Sequence, residues 1–117
     1  MKNPKILAFA GSGRKESWNK KLARVAAEAV RKAGCETTLV DLADYPLPIF
    51  DEDLEAREGL PAPAKELKGL FLDHQGLLIS SPEYNSSVTA LLKNTIDWMS
   101  RPVQGRRWDK RSCSWWD

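Results

Sequence analysis

Cysteine, histidine and long apolar runs are all scarce in this chain, and each scarcity closes off a class of protein. Cys35 and Cys113 are the only cysteines in 117 residues, and they lack CxxC spacing. A disulfide framework is thereby excluded, and a reducing, cytoplasmic setting is expected. His74 is the sole histidine, so no metal site is expected. It is predicted to be a solvated turn residue with no part in proton transfer. No stretch approaches the roughly 20 apolar residues that span a bilayer, and no membrane partner is expected. Lys2 and Lys5 ahead of Ile6-Leu7-Ala8-Phe9-Ala10 mimic the opening of a secretion signal. That apolar run is too short for one and reads better as a buried strand.

An excess of one charge is lacking too. Met1 to Ser100 holds 13 basic and 14 acidic residues, and the five basic and two acidic residues from Arg101 onward make up the formal net charge of +2. A nucleic-acid surface needs a basic stripe over the folded part, so no nucleic-acid partner is expected. There are no internal repeats, and the length accommodates one hydrophobic core. The expected organisation is a domain over residues 1–103 and an unpatterned Arg/Trp-rich tail over 104–117, which contains Trp108, Trp115 and Trp116.

Within the domain the apolar pattern alternates between two periods. Lys5–Ala10 is a continuous apolar strand of the kind buried on both faces of a parallel sheet. Ser17 can cap a helix that carries Leu22, Val25, Ala26, Ala29, Val30 and Ala33 at helical spacing and ends at Gly34. Thr37–Leu42 is predicted as a β-branched strand nearer the sheet edge. The stretch 43–63, with four of the seven prolines and Asp51-Glu52-Asp53, reads as a long loop of the sort that is functional or disordered. A helix over 64–72, a strand over 76–81 and a helix with Val88, Leu91, Leu92, Thr95, Ile96 and Met99 on one stripe complete a doubly wound α/β pattern.

Two strand-to-helix turns carry the chemistry. Gly11-Ser12-Gly13-Arg14-Lys15-Glu16-Ser17-Trp18-Asn19 follows the first strand. Backbone amides and the Ser12 and Ser17 hydroxyls can donate there to a phosphate at a helix N-terminus, with Arg14 adding a charge-assisted contact. The turn is not the nucleotide-triphosphate P-loop, because Glu16 and Ser17 stand where Gly and Lys are required. It is an incomplete dinucleotide fingerprint, because Glu16 also takes the third glycine position. A mononucleotide phosphate fits best. Pro82-Glu83-Tyr84-Asn85-Ser86-Ser87 follows the third strand. It reads equally well as an edge for a flat heterocycle or as a proline turn followed by a helix capped by Ser86 or Ser87.

These residues carry a resemblance. Gly11-Ser12-x-Arg14-x-x-Ser17-x-Asn19, Pro82-Glu83-Tyr84-Asn85-x-Ser87 and Leu92-Lys93-Asn94-x-x-Asp97-Trp98 together resemble the NADPH-dependent FMN reductase family of flavodoxin-like proteins, which includes chromate, quinone and azo-dye reductases. Gly13 and Trp18 depart from the family pattern without removing a polar contact.

The resemblance implies a parallel sheet of order 2-1-3-4-5, of which only strands 1–3 are expected here, as if the chain were truncated after the third strand and its helix. It implies FMN as cofactor, with the phosphate at Ser12, Arg14, Ser17 and Asn19 and the ring beside Pro82, Glu83, Tyr84 and Asn85. NADPH or NADH is the implied electron donor, and the acceptor a small quinone, azo, nitro or metal-oxyanion compound. The flavin carries the reaction, so no catalytic acid, base or nucleophile is expected. A homo-oligomer, dimer or tetramer, is expected. The alternatives are a non-catalytic fragment with little flavin binding and a flavodoxin-like electron carrier.

Overall fold

A computed structural model describes residues 4–101. The expected tail, 104–117, lies outside the described residues. Three parallel strands, β1 (Lys5–Ala10), β2 (Glu36–Leu39) and β3 (Gly76–Ser80), form one sheet of order β2-β1-β3. This is the flavodoxin-like arrangement, with β1 in the centre as its apolar run requires. Leu7, Ala8, Phe9 and Ala10 are all buried. Leu7 pairs with Thr38 on one side and Leu77 on the other. The outer edge of β3 has no strand beside it among the described residues, and Ile79 is correspondingly exposed.

Helix α1 (Trp18–Lys32) packs against all three strands. Its buried face is not the predicted one. Ala23 and Ala27 are buried, whereas Leu22 and Val25 are 59% and 67% exposed and Ala29 and Ala33 are also outward. Small side chains let the helix backbone approach the sheet closely, so the narrow alanine face wins over the larger apolar one. Gly34 ends the helix at φ 100°, the left-handed conformation expected of it.

Strand β2 is shorter than predicted. The Asp41 carboxylate accepts from the Ala43 amide at 3.0 Å and caps a 3-10 turn, Leu42–Asp44, which draws the chain out of the sheet. The stretch 43–63 is ordered and contains an unforeseen helix, α2 (Glu52–Glu58). Asp51 caps it, acids fill its first turn, and Gly59 at φ 72° closes it. Helix α3 (Ala62–Asp73) starts two residues earlier than expected, with proline in its first turn.

Helix α4 (Ala90–Met99) carries the anchor for this segment. Asn94 accepts from the Phe50 amide at 2.8 Å and donates to the Pro48 carbonyl at 3.0 Å, while the Trp98 indole donates to the same carbonyl at 2.8 Å. Phe50 meets the buried Trp98 edge-on at 5.0 Å, and Arg101 pairs with Glu55. The Asn94 and Trp98 positions of the third motif therefore hold the fold together. The core joins Leu7, Phe9, Leu42, Leu67, Trp98 and Met99. His74 is buried, contrary to expectation: one ring nitrogen meets the Leu70 carbonyl at 2.6 Å and the other the Thr38 hydroxyl at 3.0 Å. It closes the end of α3 onto β2. No helix among the described residues is long and apolar enough to cross a membrane.

Candidate functional site

The two turns emerge side by side because β1 and β3 are hydrogen-bonded neighbours. The Gly11 amide donates to the Ser80 carbonyl at 2.8 Å, extending the ladder one residue past β1. A Cβ on Gly11 would stand 2.8 Å from the Ser81 hydroxyl and 3.2 Å from Leu92 Cβ, so this close approach requires glycine. The Ser80 hydroxyl donates to Asn19 Oδ1 at 2.7 Å, which ties the first turn of α1 to the end of β3. Thr89, buried, does the same for α4: its hydroxyl donates to the Gly11 carbonyl at 2.6 Å and accepts from the Leu92 amide at 3.1 Å. One side chain thus caps α4 and clamps the first turn.

Within the first turn Ser17 caps α1, its hydroxyl oxygen accepting from the Asn19 amide at 3.1 Å. Ser12 accepts from the Arg14 amide at 3.4 Å. Both serines are buried, and each hydroxyl still has a proton to donate. The amides of Ser12, Gly13, Lys15, Glu16 and Trp18 have no partner among the described residues. The exposed side chains of Arg14 and Lys15 likewise have none. Unused amides at a helix N-terminus beside free cations are able to cradle an anion.

The second turn is a tight hairpin. Tyr84 and Ser87 exchange two backbone hydrogen bonds, at 2.9 and 3.0 Å, with Asn85 and Ser86 at φ 51° and 65°. Two successive positive φ values are those of a type I′ turn. Helix α4 begins at Ala90, so neither Ser86 nor Ser87 caps it, and Thr89 takes the position instead. The hairpin leaves Glu83, Tyr84 and Asn85 exposed and Pro82 half-buried.

The structure brings Ser12, Ser17 and Asn19 together with the start of the second turn at the carboxyl ends of β1 and β3. Arg14, Glu83, Tyr84 and Asn85 stand at the surface around them. Sequence reasoning missed Thr89 and Ser80. Thr89 had a readable signal, a β-branched hydroxyl residue directly before the apolar stripe of α4; nothing local marked Ser80.

Beside the cradle, Lys20 reaches Asp41 at 3.0 Å. Burial pushes the Asp41 carboxyl up, but the Ala43 amide and the Lys20 ammonium outweigh it and hold the group below its ordinary value.

A parallel sheet with a phosphate-type turn and a second loop at its central crevice defines an α/β protein of the flavodoxin-like class. Comparison with known proteins makes this specific. The chain belongs to the NADPH-dependent FMN reductase family, whose model matches residues 4–113.

It is 36% identical over 100 residues to an NADPH:quinone oxidoreductase of Arabidopsis thaliana, covering 84% of this chain and 50% of that one. A quinone reductase of Escherichia coli K12 is 36% identical over 105 residues, covering 86% and 55%. Among solved structures, the flavoenzyme NAD(P)H:(acceptor) oxidoreductase FerB of Paracoccus denitrificans superposes with a TM-score of 0.69 at 31% identity, covering 85% and 52%. The chain spans about half the length of the curated relatives it matches.

Proposed function

We propose that the chain binds FMN at the β1/β3 crevice and serves as an NAD(P)H-dependent oxidoreductase with a small quinone-type acceptor. The observation that carries this reading is the pair of turns clamped together by Thr89 and Asn19, with unused amides and free cations on one and an exposed tyrosine and asparagine on the other. These residues fit the cofactor. Ser12, Arg14, Ser17 and the free amides would hold the phosphate, with Asn19 donating from its amide nitrogen. Pro82, Glu83, Tyr84 and Asn85 would border the ring. FMN supplies the redox chemistry when bound, passing electrons from the nicotinamide donor to the acceptor. The protein's part is to bind, orient and keep the two turns in register.

A cytoplasmic setting goes with the low cysteine content. We also place the protein in a homo-oligomer, a dimer or tetramer. The apolar Trp18, Leu22 and Val25 are spaced along one exposed side of α1, and β3 presents an open edge. Light scattering of the purified chain measures this.

The function is tested by titrating FMN, FAD and ATP separately into the purified chain and then following NADPH oxidation with a quinone. FMN should bind in preference to the other two and turnover should follow. Equal or stronger ATP binding would refute the site. A second reading, flavin binding without turnover, is favoured by the unpartnered outer edge of β3, which leaves the crevice without a wall on that side among the described residues. Yellow protein that does not oxidise NADPH would select it.

A further inference from the structure

Ser80, the last residue of β3, holds the first turn at both of its ends. Its carbonyl accepts from the Gly11 amide at 2.8 Å, where the turn leaves β1, and its hydroxyl donates to Asn19 Oδ1 at 2.7 Å, where α1 takes up the chain. The two contacts are chemically separable. The first belongs to the backbone and does not depend on the side chain, whereas the second exists only because the residue carries a hydroxyl. Strand alternation explains where that hydroxyl points. Ser80 pairs with Ala10, on the face of the sheet that α1 covers, while Leu77 packs into the core on the other face.

Asn19 is half-buried, and its backbone is pinned by its amide, which donates to the Ser17 hydroxyl at 3.1 Å. The freedom left to the side chain is which end of the carboxamide faces the turn. The two ends have nearly the same shape and opposite polarity: the oxygen repels an anion and the nitrogen donates to it. Turning the nitrogen towards an anion drives the oxygen towards β3, where it is partly removed from water. An acceptor left unmatched there costs free energy, and the Ser80 hydroxyl removes that cost. Among the described residues none takes a hydrogen bond from Asn19 Nδ2, so its donors are available.

We propose that Ser80 is a positioning residue of the phosphate site. It touches no ligand, but it holds Asn19 with the amide nitrogen towards the first turn, and so supports a preference for a phosphorylated flavin over the same flavin without its phosphate. The proposal rests on the flavin reading above and adds to it a residue that belongs to neither turn.

The test compares FMN and riboflavin affinities of the full chain by calorimetry. Ser80→Ala should weaken FMN about three- to tenfold, the range that one neutral hydrogen bond commands, and leave riboflavin unchanged. Ser80→Thr keeps the hydroxyl and should restore FMN binding. In a double-mutant cycle, Ser80→Ala should add nothing once Asn19→Ala is in place. A merely structural serine would weaken both flavins together or add its loss independently of Asn19, and either result overturns the proposal. The wild-type chain supplies a reading that needs no variant to fold. On addition of FMN or of inorganic phosphate, the Asn19 side-chain amide signals should shift in nitrogen–proton correlation spectra, and no shift with either would also overturn the proposal. Phosphate binding that depends on Ser80 in a chain that takes no flavin would keep the positioning role and remove the flavin reading. FMN binding indifferent to Ser80→Ala would do the reverse.

Discussion

The two turns at the β1/β3 crevice and the segment between β2 and α3 are both dense in turn-forming residues, yet they handle their polar groups in opposite ways. In the segment, the Pro48 carbonyl receives two donors, the Phe50 amide has Asn94, and Glu55 has Arg101. At the crevice, the amides of Ser12, Gly13, Lys15, Glu16 and Trp18 and the Arg14 guanidinium are left without partners among the described residues. An unmade hydrogen bond is wasteful unless something else completes it. The difference sets a structural brace apart from the surface proposed to hold the cofactor, although proline and acid content made the brace look the more unusual of the two.

The comparison breaks if the brace turns out to be replaceable. Trp98→Ala removes the largest fully buried side chain among the described residues, its indole donor and the edge-on contact with Phe50. It should destabilise the chain by about 3–5 kcal/mol, read from denaturant midpoints. A loss below ~1 kcal/mol would mean that the segment is held by something other than α4.

On the binding side, Arg14→Ala should weaken FMN by about 1.5–3 kcal/mol, the scale of a hydrogen bond to a charged group. Calorimetry with riboflavin is the control. Having no phosphate, riboflavin should hardly respond, and equal weakening of the two ligands would end the phosphate role of Arg14.

Thr89 belongs to both regions and sharpens the contrast. Thr89→Ala removes a helix cap and the clamp on Gly11, for a stability loss of about 1 kcal/mol together with weaker FMN binding. Thr89→Ser should recover most of both. A variant that loses stability and keeps full FMN affinity would show the cap to matter and the clamp not.

The smallest effect is at Asp41. Its carboxyl is depressed below the ordinary value of 3.8 in the folded chain. Its contribution is therefore complete above that value and fades as pH falls through it and on to the lower folded value. Urea midpoints at pH 6 and pH 3 should differ more for the wild type than for Asp41→Asn. Identical differences would mean that the Lys20 pair is not maintained in solution.

The fold was largely legible because long apolar runs and helical stripes are strong local signals. Strand β1 agrees residue for residue, and α4 buries Leu92, Thr95 and Met99 from its predicted stripe. Helix α1 misled because its alanines and its larger residues form adjacent faces, and only the tertiary requirement for close approach to the sheet chooses between them. Helix α2 was hidden by neighbouring prolines, although Asp51 and Gly59 bracketed it with ordinary start and stop residues. At the site, the place of both turns, directly after β1 and β3, was readable in the sequence. Ser80 and the buried state of His74 were not, because their partners are Asn19 and Thr38, far away along the chain.

The register of β1 bears on how the chain comes into being. Its first residue bonds to Gln75, 70 positions later, and its pairing with β3 begins at Gly76. On a ribosome adding about 5–20 residues per second, this most apolar strand waits roughly 4–14 s before its second neighbour has been made. Until then one of its edges is available to any extended segment that comes near. A nascent chain of this order carries an unpaired apolar edge for that interval, and its yield should respond to translation speed more than its final stability suggests.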